Sequence, residues 1–576
     1  MSTKTDLLRA QFSSSKVLTV TNGTPIKAYL LPSTDAHQAL EQLVPPFKLL
    51  KQGQPDSISI EDFIARELDV GDWIGIDPSL HTYEKNEDSR PIPTVRVKCL
   101  SLVGQEAESY QLRGAAWKLE LLIPNGGEQL IKTLRSMGFH IALIRQNLVD
   151  EFWSDRPALP DKCPIILLPG EHGRCVKDKL KELRERISKK KCNSIVLTAL
   201  DDIMWLLNIR GFDVKHNPLA YSYLLVTASE VHLFMDKANN EMRSYLEQEN
   251  IIAHSYAEAY NFISKWNQKQ EAEKAQHRVF VPTSTNYLFG SLFAHSSVVD
   301  GSPVQVMKGV KNHVELEGMR QSHIRDSATL VSFLMWIEAE LLEGHSHSEI
   351  DVANKVDSLR AGTEKYVDLS FSTISAAGDH AAKPHYHSEG EEGKRLVTAD
   401  QVYLLDSGAH YRDGTTDVTR TIWLEKNSPV PNEFVQCNTL VLKGHITLAN
   451  TVFPQATTVR IGHRAVNTSP DYWIREGMVL TIEPGYYLVD KWGTRIENCY
   501  EVVKAKVPSG ADFLGFRALT LVPIQTSIID KSLLSHKEAE WLNAYHDQVL
   551  SIVGGYLQKA NKTKEFEWLK KHCAHI

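Results

Sequence analysis

Residues 404–422 read Leu404-Leu-Asp406-Ser-Gly-Ala-His-Tyr-Arg-Asp413-Gly414-Thr-Thr-Asp417-Val-Thr-Arg-Thr-Ile422. Two carboxylates, Asp406 and Asp417, stand in apolar, strand-forming sequence on either side of the turn signal Asp413-Gly414. Because side chains alternate across a strand with period two, both acids are expected on one side of a single hairpin. A carboxylate buried among Leu, Val and Ile is costly unless a cation compensates it.

A second pair of acids follows in a matching context downstream. Glu483 lies in Val-Leu-Thr-Ile-Glu-Pro-Gly-Tyr-Tyr (479–487), and Glu497 lies in Gly-Thr-Arg-Ile-Glu-Asn (493–498), around a turn predicted at 489–493. Any one of these acids alone is more often a turn or capping residue, as Asp413 is. Four of them on two candidate hairpins predict a site for hard divalent cations and metal-assisted hydrolysis. Oxygen ligands alone favour manganese, magnesium or calcium, and an added histidine favours manganese, iron, cobalt or zinc.

The bulk properties are those of a multidomain globular protein. A chain of 576 residues is too long for one core, so about three domains are expected. The net charge of −7 argues against a general nucleic-acid binder, and no apolar run approaches a membrane span. The N-terminus lacks the hydrophobic core of a signal peptide. Seven scattered cysteines, never spaced C-x-x-C, predict reduced thiols and a cytoplasmic location.

Element patterns divide the chain into four predicted parts, with boundaries at 1–157, 158–307, 308–510 and 511–576. A helical pattern near 127–137 and a strand at 140–144 belong to the first part. The second part opens with the basic run 177–191, which is interpreted as a surface helix with a solvated charged face in preference to a nucleic-acid patch. A nonpolar stripe at helical spacing supports that helix: Val176, Leu180, Leu183 and Ile187.

Two further helices are predicted in the last two parts. A long one is expected to end at Gly344, with an apolar stripe formed by Ile324, Ala328, Val331, Met335 and Leu342. A closing one is capped by Ser535-x-x-Glu538. Its apolar face is predicted to comprise Leu542, Tyr545, Val549, Ile552 and Tyr556.

The acidic segments resemble the signatures of aminopeptidase P, the Xaa-Pro aminopeptidase of the pita-bread metallopeptidases, in its long three-domain cytosolic form. The resemblance rests on 406–421, on Glu483-Pro-Gly-Tyr-Tyr487 and on Arg495-Ile-Glu497-Asn498, and it extends with gaps from about residue 20 to the end. It implies an α/β (α+β) fold. Two creatinase-like αβ domains would precede a C-terminal pita-bread metallopeptidase domain, which is incomplete here.

The resemblance also implies roles for individual residues. Asp406 and Asp417 would bind one manganese ion, with Asp417 and Glu497 bridging to a second. Glu483 would bind that second ion and serve as the general base. Arg495 would order the carboxylates, and His385 matches a histidine that the family uses near the substrate. The implied substrates are peptides with proline in second position, whose tertiary amide resists general peptidases; the implied assembly is a homodimer.

The sequence departs from the family pattern at two places. Between Phe453–Thr458 and Glu476 several dozen residues are absent, including the family's histidine metal ligand and a second histidine. His463 is interpreted as part of the following loop, and His380, His387 and His410 as exposed or loop residues. The second manganese site is therefore expected to be weakened and activity impaired. In the N-terminal part, residues near 81–122 replace the family's sequence.

Two alternatives remain beside the peptidase. A catalytically silent binding protein on the same fold is favoured by the absent histidines, whereas the four intact acids oppose it. A prolidase acting on dipeptides is the other alternative, and the extra middle domain with the segment 208–211 disfavours it.

Overall fold

The computed structural model of the protein describes residues 155–576 except 159, 274–276, 456, 458–472 and 507–511. Before residue 155 it describes the segments 16–19, 27–32, 47–52, 60–67, 73–76, 117–122 and 127–143. The departure predicted near 81–122 therefore falls, up to residue 116, outside the described residues, and so does His463.

The described chain forms two compact units. The first comprises 1–163, 179–206 and 221–304, and the second comprises 164–178, 207–220 and 305–576. The four-part division of the sequence stays a prediction.

The elements up to residue 309 are, in chain order, β1 Lys16–Thr19, β2 Lys27–Pro32, β3 Phe47–Gln52, α1 Ile60–Glu67, β4 Trp73–Ile76, β5 Trp117–Leu122, α2 Gly127–Ser136, β6 His140–Leu143, β7 Ile165–Ile166, α3 Pro169–His172, α4 Val176–Lys189, β8 Ser194–Leu197, α5 Leu200–Leu206, β9 Ile209–Arg210, β10 Tyr223–Val226, β11 Val231–Phe234, α6 Asn240–Gln248, β12 Ile252–His254, α7 Ala259–Ala272, β13 Val279–Pro282, α8 Tyr287–Gly290, β14 Ser297–Asp300 and α9 Pro303–Gly309. Short 3₁₀ turns lie at Tyr256–Glu258 and Ser291–Phe293.

The first unit contains two six-stranded sheets. Their strand orders are β3-β2-β1-β5-β4-β6 and β12-β11-β10-β8-β13-β14. In the second sheet, Val196, Leu225 and Val279 of three neighbouring strands pack with Ile263 of α7 in one core. Strands buried by a helix on their face are apolar along their length, which is why these segments read as near-continuous Val, Ile and Leu.

Helix α4 confirms the predicted surface helix and its apolar stripe. Leu180, Leu183 and Ile187 are all at most 4% exposed. Lys179 departs from the predicted solvated face, because it is fully buried and its ammonium donates to the carbonyl of Trp205 at 2.8 Å. The same ammonium lies 3.8 Å from the Trp205 ring, a cation–π contact that compensates its burial.

The remaining elements are α10 His313–Glu343, β15 His347–Ser348, α11 Glu349–Ala361, β16 Tyr366–Leu369, β17 Ile374–Ala377, β18 Leu396–Val397, β19 Val402–Ser407, β20 Ala409–Tyr411, β21 Gly414–Thr415, β22 Val418–Trp423, α12 Asn432–Ala449, β23 Phe453–Pro454, β24 Val479–Ile482, β25 Gly485–Leu488, β26 Trp492–Arg495, β27 Asn498–Ala505, β28 Phe513–Ala518, α13 His536–Val549, α14 Gly555–Lys559 and α15 Thr563–His572. Single 3₁₀ turns lie at Gly378–Ala382, Glu392–Lys394 and Lys531–Leu533, and a π-helical turn spans Leu550–Gly554.

The second unit is built from small antiparallel sheets. Their strand orders are β17-β19-β22, β16-β20-β21, β23-β28-β27-β24 and β25-β26, and two-stranded pairs form from β15 with β18 and from β7 with β9. The predicted hairpin turn at Asp413-Gly414 joins β20 to β21. The second predicted hairpin is β25 with β26, so its turn is narrower than 489–493.

The long helix α10 ends where the sequence predicts. Gly344 adopts a left-handed conformation with φ of 93°, which a glycine accepts without steric cost, and its N–H donates to Glu340 O and Leu341 O. The predicted stripe is correct for Ala328 and Val331 but wrong for Leu342, which is 43% exposed. Leu341 takes its place in the core.

Within the described part of the chain, no helix combines the length and the apolar character that crossing a bilayer requires.

Buried His445 makes the second unit sensitive to acid. Burial, followed by the charge of Arg420, lowers the pKa of His445 to about 3. Because this group is neutral in the folded state, its contribution to stability is complete above its unfolded pKa of about 6.5 and is lost as the pH falls towards 3. At pH 5 we expect about 2 kcal/mol less stability than at pH 7 from this group. Urea titrations of the wild type and His445→Gln at both values check it, because the change in stability from pH 7 to pH 5 should differ between the two chains by about 2 kcal/mol. An equal change in both would contradict the assignment.

Candidate metal centre

Three of the four predicted acids meet in one place. Asp406 lies on β19, and its neighbour across the antiparallel ladder on β22 is Thr419. Asp417 directly precedes β22, and Glu497 links β26 to β27, with its N–H donating to Thr419 O at 3.3 Å. One carboxylate oxygen from each acid lies within 4.8 Å of the other two. The chain segments that carry Asp406, Asp417 and Glu497 therefore meet at Thr419, whereas the sequence interpretation expected all four acids to converge.

Glu483 lies outside this compact group. It follows β24, is exposed, and accepts a hydrogen bond from Thr481 Oγ1 at 3.0 Å. Its charge nevertheless contributes to raising the pKa of both Asp417 and Glu497, so its carboxylate lies within electrostatic reach of the group.

Arg495 connects the members of the cluster. It is 4% exposed, and its Nη2 donates to Asp406 Oδ2 at 2.5 Å. Its Nε donates to Thr419 Oγ1 at 2.9 Å, and Thr419 in turn donates to Glu497 Oε2 at 2.7 Å. Its Nη1 donates to the hydroxyl of Tyr487 at 2.7 Å. The guanidinium of Arg495 thus orients Asp406 directly and Glu497 through Thr419.

Sequence reasoning missed Thr419 and Thr421, although their signal was present. Both follow Asp417 at intervals of two, so they share its face of β22. Thr421 exchanges two hydrogen bonds with the backbone of Arg495, at 2.9 and 3.0 Å. The hydroxyls on this face hold Arg495 in position.

The cluster is short of positive charge. Burial raises the pKa of Asp406, although Arg495 partly offsets it. Burial, together with the charges of Asp406 and Glu483, raises the pKa of Asp417 to about 8. Burial and the neighbouring acids hold the pKa of Glu497 well above its ordinary value. Like charges at this spacing cannot all ionise cheaply.

The donor set fits hard divalent cations. Asp406 Oδ1 is buried and has no hydrogen-bond partner. Buried carboxylate oxygens are almost always hydrogen-bonded, so an unpartnered one beside two more acids is suited to coordinating a cation. The oxygens of Asp406, Asp417 and Glu497 are ligands of the type that manganese and magnesium prefer.

The histidines lie in several settings. His385 is exposed in the segment after β17, and its charge lowers the pKa of Asp406. His380 lies in the loop after β17, one of the two settings predicted, but it is not exposed, since its side chain is 12% exposed and its Nδ1 lies 3.0 Å from Glu349 Oε2. The prediction for His410 was wrong, because it lies on β20 with its Nε2 3.0 Å from His216 O.

Gly493 allows the segment that leads to His385 to approach β26. A Cβ at this position would lie 1.9 Å from Ala381 O. We expect Gly493→Ala to lower the free energy of unfolding by about 3 kcal/mol, because backbone blocks the added methyl. Gly555→Ala is the matched control, since a Cβ there meets nothing within 4 Å inside a helix. Urea unfolding of both variants checks the difference, and equal effects would contradict it.

Comparisons with known proteins agree with this geometry. The creatinase/prolidase N-terminal domain model matches residues 155–315, and the model of the C-terminal region of peptidase M24 matches 512–576. The model of metallopeptidase family M24 matches in two pieces, 317–469 and 463–504. The two pieces overlap at 463–469, inside the interval where the sequence is expected to depart from the family.

Full-length relatives cover nearly the whole chain. Xaa-Pro aminopeptidase app-1 of Caenorhabditis elegans is 42% identical, with 99% of this chain and 98% of the relative aligned. That alignment has 653 positions, more than the chain has residues, so part of the relative faces gaps. A probable Xaa-Pro aminopeptidase P of Coprinopsis cinerea is 33% identical over 96% of this chain and 89% of its own length.

A solved structure matches the fold at the same level. It is an X-prolyl aminopeptidase from Caenorhabditis elegans, described as a cytosolic enzyme with a di-nuclear active site. Its TM-score is 0.86 at 43% identity, with 97% of this chain and 90% of the other covered. With creatinase-type and M24 pita-bread domains and relatives of this identity, the chain belongs to the Xaa-Pro aminopeptidases of metallopeptidase family M24.

Proposed function

We propose that this chain is a two-metal aminopeptidase that removes the N-terminal residue from peptides with proline in second position. The observation that carries the proposal is the convergence of Asp406, Asp417 and Glu497 beside an unpartnered buried oxygen. Membership of the family supplies the substrate class.

Each acidic residue has a place in this proposal. Asp406, Asp417 and Glu497, together with Glu483, would hold the two ions, and Glu483 would accept a proton from the water that attacks the peptide. The exposure of Glu483 supports this last role, because a general base must reach solvent-derived water. Two manganese ions bound here would supply a water of lowered pKa and a polarised carbonyl. His385 faces the peptide, and Arg495 keeps the carboxylates oriented.

The second ion is expected to bind more weakly than the first. The family's histidine ligand has no counterpart among residues 453–476, and even an outer-shell loss typically costs ten- to a hundredfold in metal affinity or activity. The two-piece match to the M24 model favours one further candidate, a catalytically silent protein that still binds proline-containing peptides.

Location and assembly are also part of the proposal. The worm neighbour is described as cytosolic, and the six cysteines that the structure describes here are all free thiols, as a reducing compartment requires. We propose a cytoplasmic homodimer with neither a nucleic-acid nor a membrane partner, in keeping with the net charge of −7.

Release of the first residue from an Xaa-Pro-Pro tripeptide, with manganese added, tests the activity. We expect turnover in the wild-type chain and none in Asp417→Ala; equal rates would reject the peptidase for this polypeptide. Calorimetric binding of the same tripeptide without turnover would favour the silent binding protein.

A further inference from the structure

The segment that carries His385 runs back along the sheet that holds Asp406. It leaves β17 after Ala377, whose ladder partner on β19 is Tyr403. It returns at Ser388, whose Oγ donates to Thr373 O at 3.3 Å. Thr373 adjoins Ile374, which lies opposite Asp406. Residues 378–387, here called the histidine loop, therefore bring His385 to the end of the sheet where Asp406 lies.

One buried carboxylate holds this loop at three points. Glu349, the first residue of α11, is fully buried. It accepts hydrogen bonds from Ala377 N at 2.7 Å and from the Tyr386 hydroxyl at 2.6 Å, and its two oxygens each lie 3.0 Å from His380 Nδ1. These partners are Ala377, directly before the loop, His380 in its first turn, and Tyr386 next to His385.

The partners are themselves ordered by packing. The His380 ring stacks on Tyr386 with centroids 4.5 Å apart and an interplanar angle of 30°. Tyr386 is 2% exposed, and burial together with the Glu349 carboxylate raises the pKa of its phenol, so the hydroxyl stays protonated and donates. Hydrogen bonds to a carboxylate are about twice as strong as neutral ones.

Glu349 is not needed to cap its own helix. Ser348 is the N-cap, its Oγ accepts from Asp351 N at 3.1 Å, and the Asp351 carboxylate returns to Ser348. The helix N-terminus instead stabilises the negative charge of Glu349. The hydrogen bonds that the structure describes for the Glu349 carboxylate therefore go to Ala377 and to the histidine loop.

We propose that Glu349 is a positioning residue for peptide hydrolysis, acting through Tyr386 and His380 to fix His385 beside the acidic cluster. This rests on the proposed function, since His385 faces the peptide only there. Glu349 touches no metal-ligand candidate, so its loss should leave metal binding intact while impairing the handling of the peptide.

The test compares Glu349→Gln with Glu338→Gln in manganese-loaded full-length chain. Glu338 is the control, because like Glu349 it contacts one aromatic residue and one histidine: it accepts from Trp568 Nε1 at 2.8 Å, and its Oε2 lies 2.9 Å from His572 Nε2. It lies on α10, away from the histidine loop. We expect Glu349→Gln to lower kcat for Xaa-Pro-Pro by about tenfold or more with unchanged manganese content, because a misplaced group beside the peptide slows the reaction without touching the metal ligands. Glu338→Gln should match wild type.

Amide hydrogen exchange supplies a readout that needs no turnover. In Glu349→Gln, peptides covering 377–388 should exchange faster, whereas those covering β19 and β22 should not. Tyr386→Phe removes one of the Glu349 contacts and should shift exchange and kcat in the same direction as Glu349→Gln. It replaces Glu349→Gln in the test if that chain fails to fold. Unchanged exchange, or faster exchange with wild-type kcat, overturns the proposal.

The two proposals fail differently. If the wild-type chain shows no turnover, the peptidase proposal is rejected. The positioning role of Glu349 is then tested by the Kd of the same tripeptide, measured by calorimetry, in place of kcat. A Kd weakened in Glu349→Gln but not in Glu338→Gln supports the positioning role; equal values, or no binding at all, reject it.

Discussion

Glu497→Gln is expected to abolish manganese binding at the cluster and to reduce aminopeptidase turnover by more than about 100-fold, the upper end of what an outer-shell loss costs. Glu497 is 2% exposed, and its oxygen lies within 4.8 Å of oxygens from both Asp406 and Asp417. An amide keeps the shape of the side chain and its contact with Thr419 but cannot act as an anionic bridge. Metal content after dialysis is the measurement.

The same substitution should stabilise the metal-free chain. The pKa values of Glu497 and Asp417 are raised, so each ionised acid opposes folding. Metal-free protein therefore loses stability as the pH rises from the unfolded pKa of Asp417, about 4, towards its folded value of about 8. Removing one charge should weaken that loss and raise Tm at pH 8.

Glu501→Gln is the control for both effects. Glu501 lies on β27 and pairs with Arg320 at 2.8 Å and Arg517 at 2.6 Å, so its charge stabilises the fold. Its replacement should lower Tm and leave manganese content unchanged. Retention of two ions by Glu497→Gln, or a lower Tm of its metal-free form, would contradict the assignment of the cluster.

Arg420→Met is expected to cause the largest loss of stability, more than about 4 kcal/mol. The guanidinium is 4% exposed and makes six hydrogen bonds. Its acceptors are the carbonyls of Thr419, Glu497, Val522 and Pro523, the amide oxygen of Asn498 and the hydroxyl of Tyr545. Each buried acceptor left unpaired costs about 1–3 kcal/mol.

Arg420 hydrogen-bonds to Thr419 and Glu497 in the segments that carry the acids, and to Val522 in the C-terminal part of the chain. The variant should therefore also bind manganese less tightly. Arg517→Met is the control, because its side chain is 47% exposed and its partner Glu501 keeps the ion pair with Arg320 at 2.8 Å. Urea titrations of the two variants provide the comparison. Similar midpoints for both would show that the Arg420 contacts are dispensable.

The closing helix shows where periodicity stops being informative. Leu542, Tyr545 and Val549 are buried as predicted, and Ser535 and Glu538 form the predicted capping box. Beyond them the core residues are Val553 and Leu557, one position later than the predicted Ile552 and Tyr556. The π-helical turn at 550–554 inserts one residue per turn, which shifts the buried face by one position.

Local sequence patterns were sufficient to predict the structure where a residue type strongly favours one backbone conformation. Gly344 ended its helix, Asp413-Gly414 made its turn, and Asp406 lies on β19 while Asp417 directly precedes β22, the strand paired with β19. These outcomes depend on backbone sterics and on the two-residue repeat of a strand, both of which act between near neighbours in the chain.

The sequence alone indicated the family and named four acids, three of which lie close together in the structure. Only the tertiary structure decided that Thr419 bridges Arg495 to Glu497, that Glu349 binds the histidine loop, and that Glu483 stays outside the compact group. The partners in these contacts are 28 to 78 residues apart along the chain, so no local pattern encodes them. These contacts form because a buried polar group needs a hydrogen-bond partner, and packing of the sheets determines which partners are within reach.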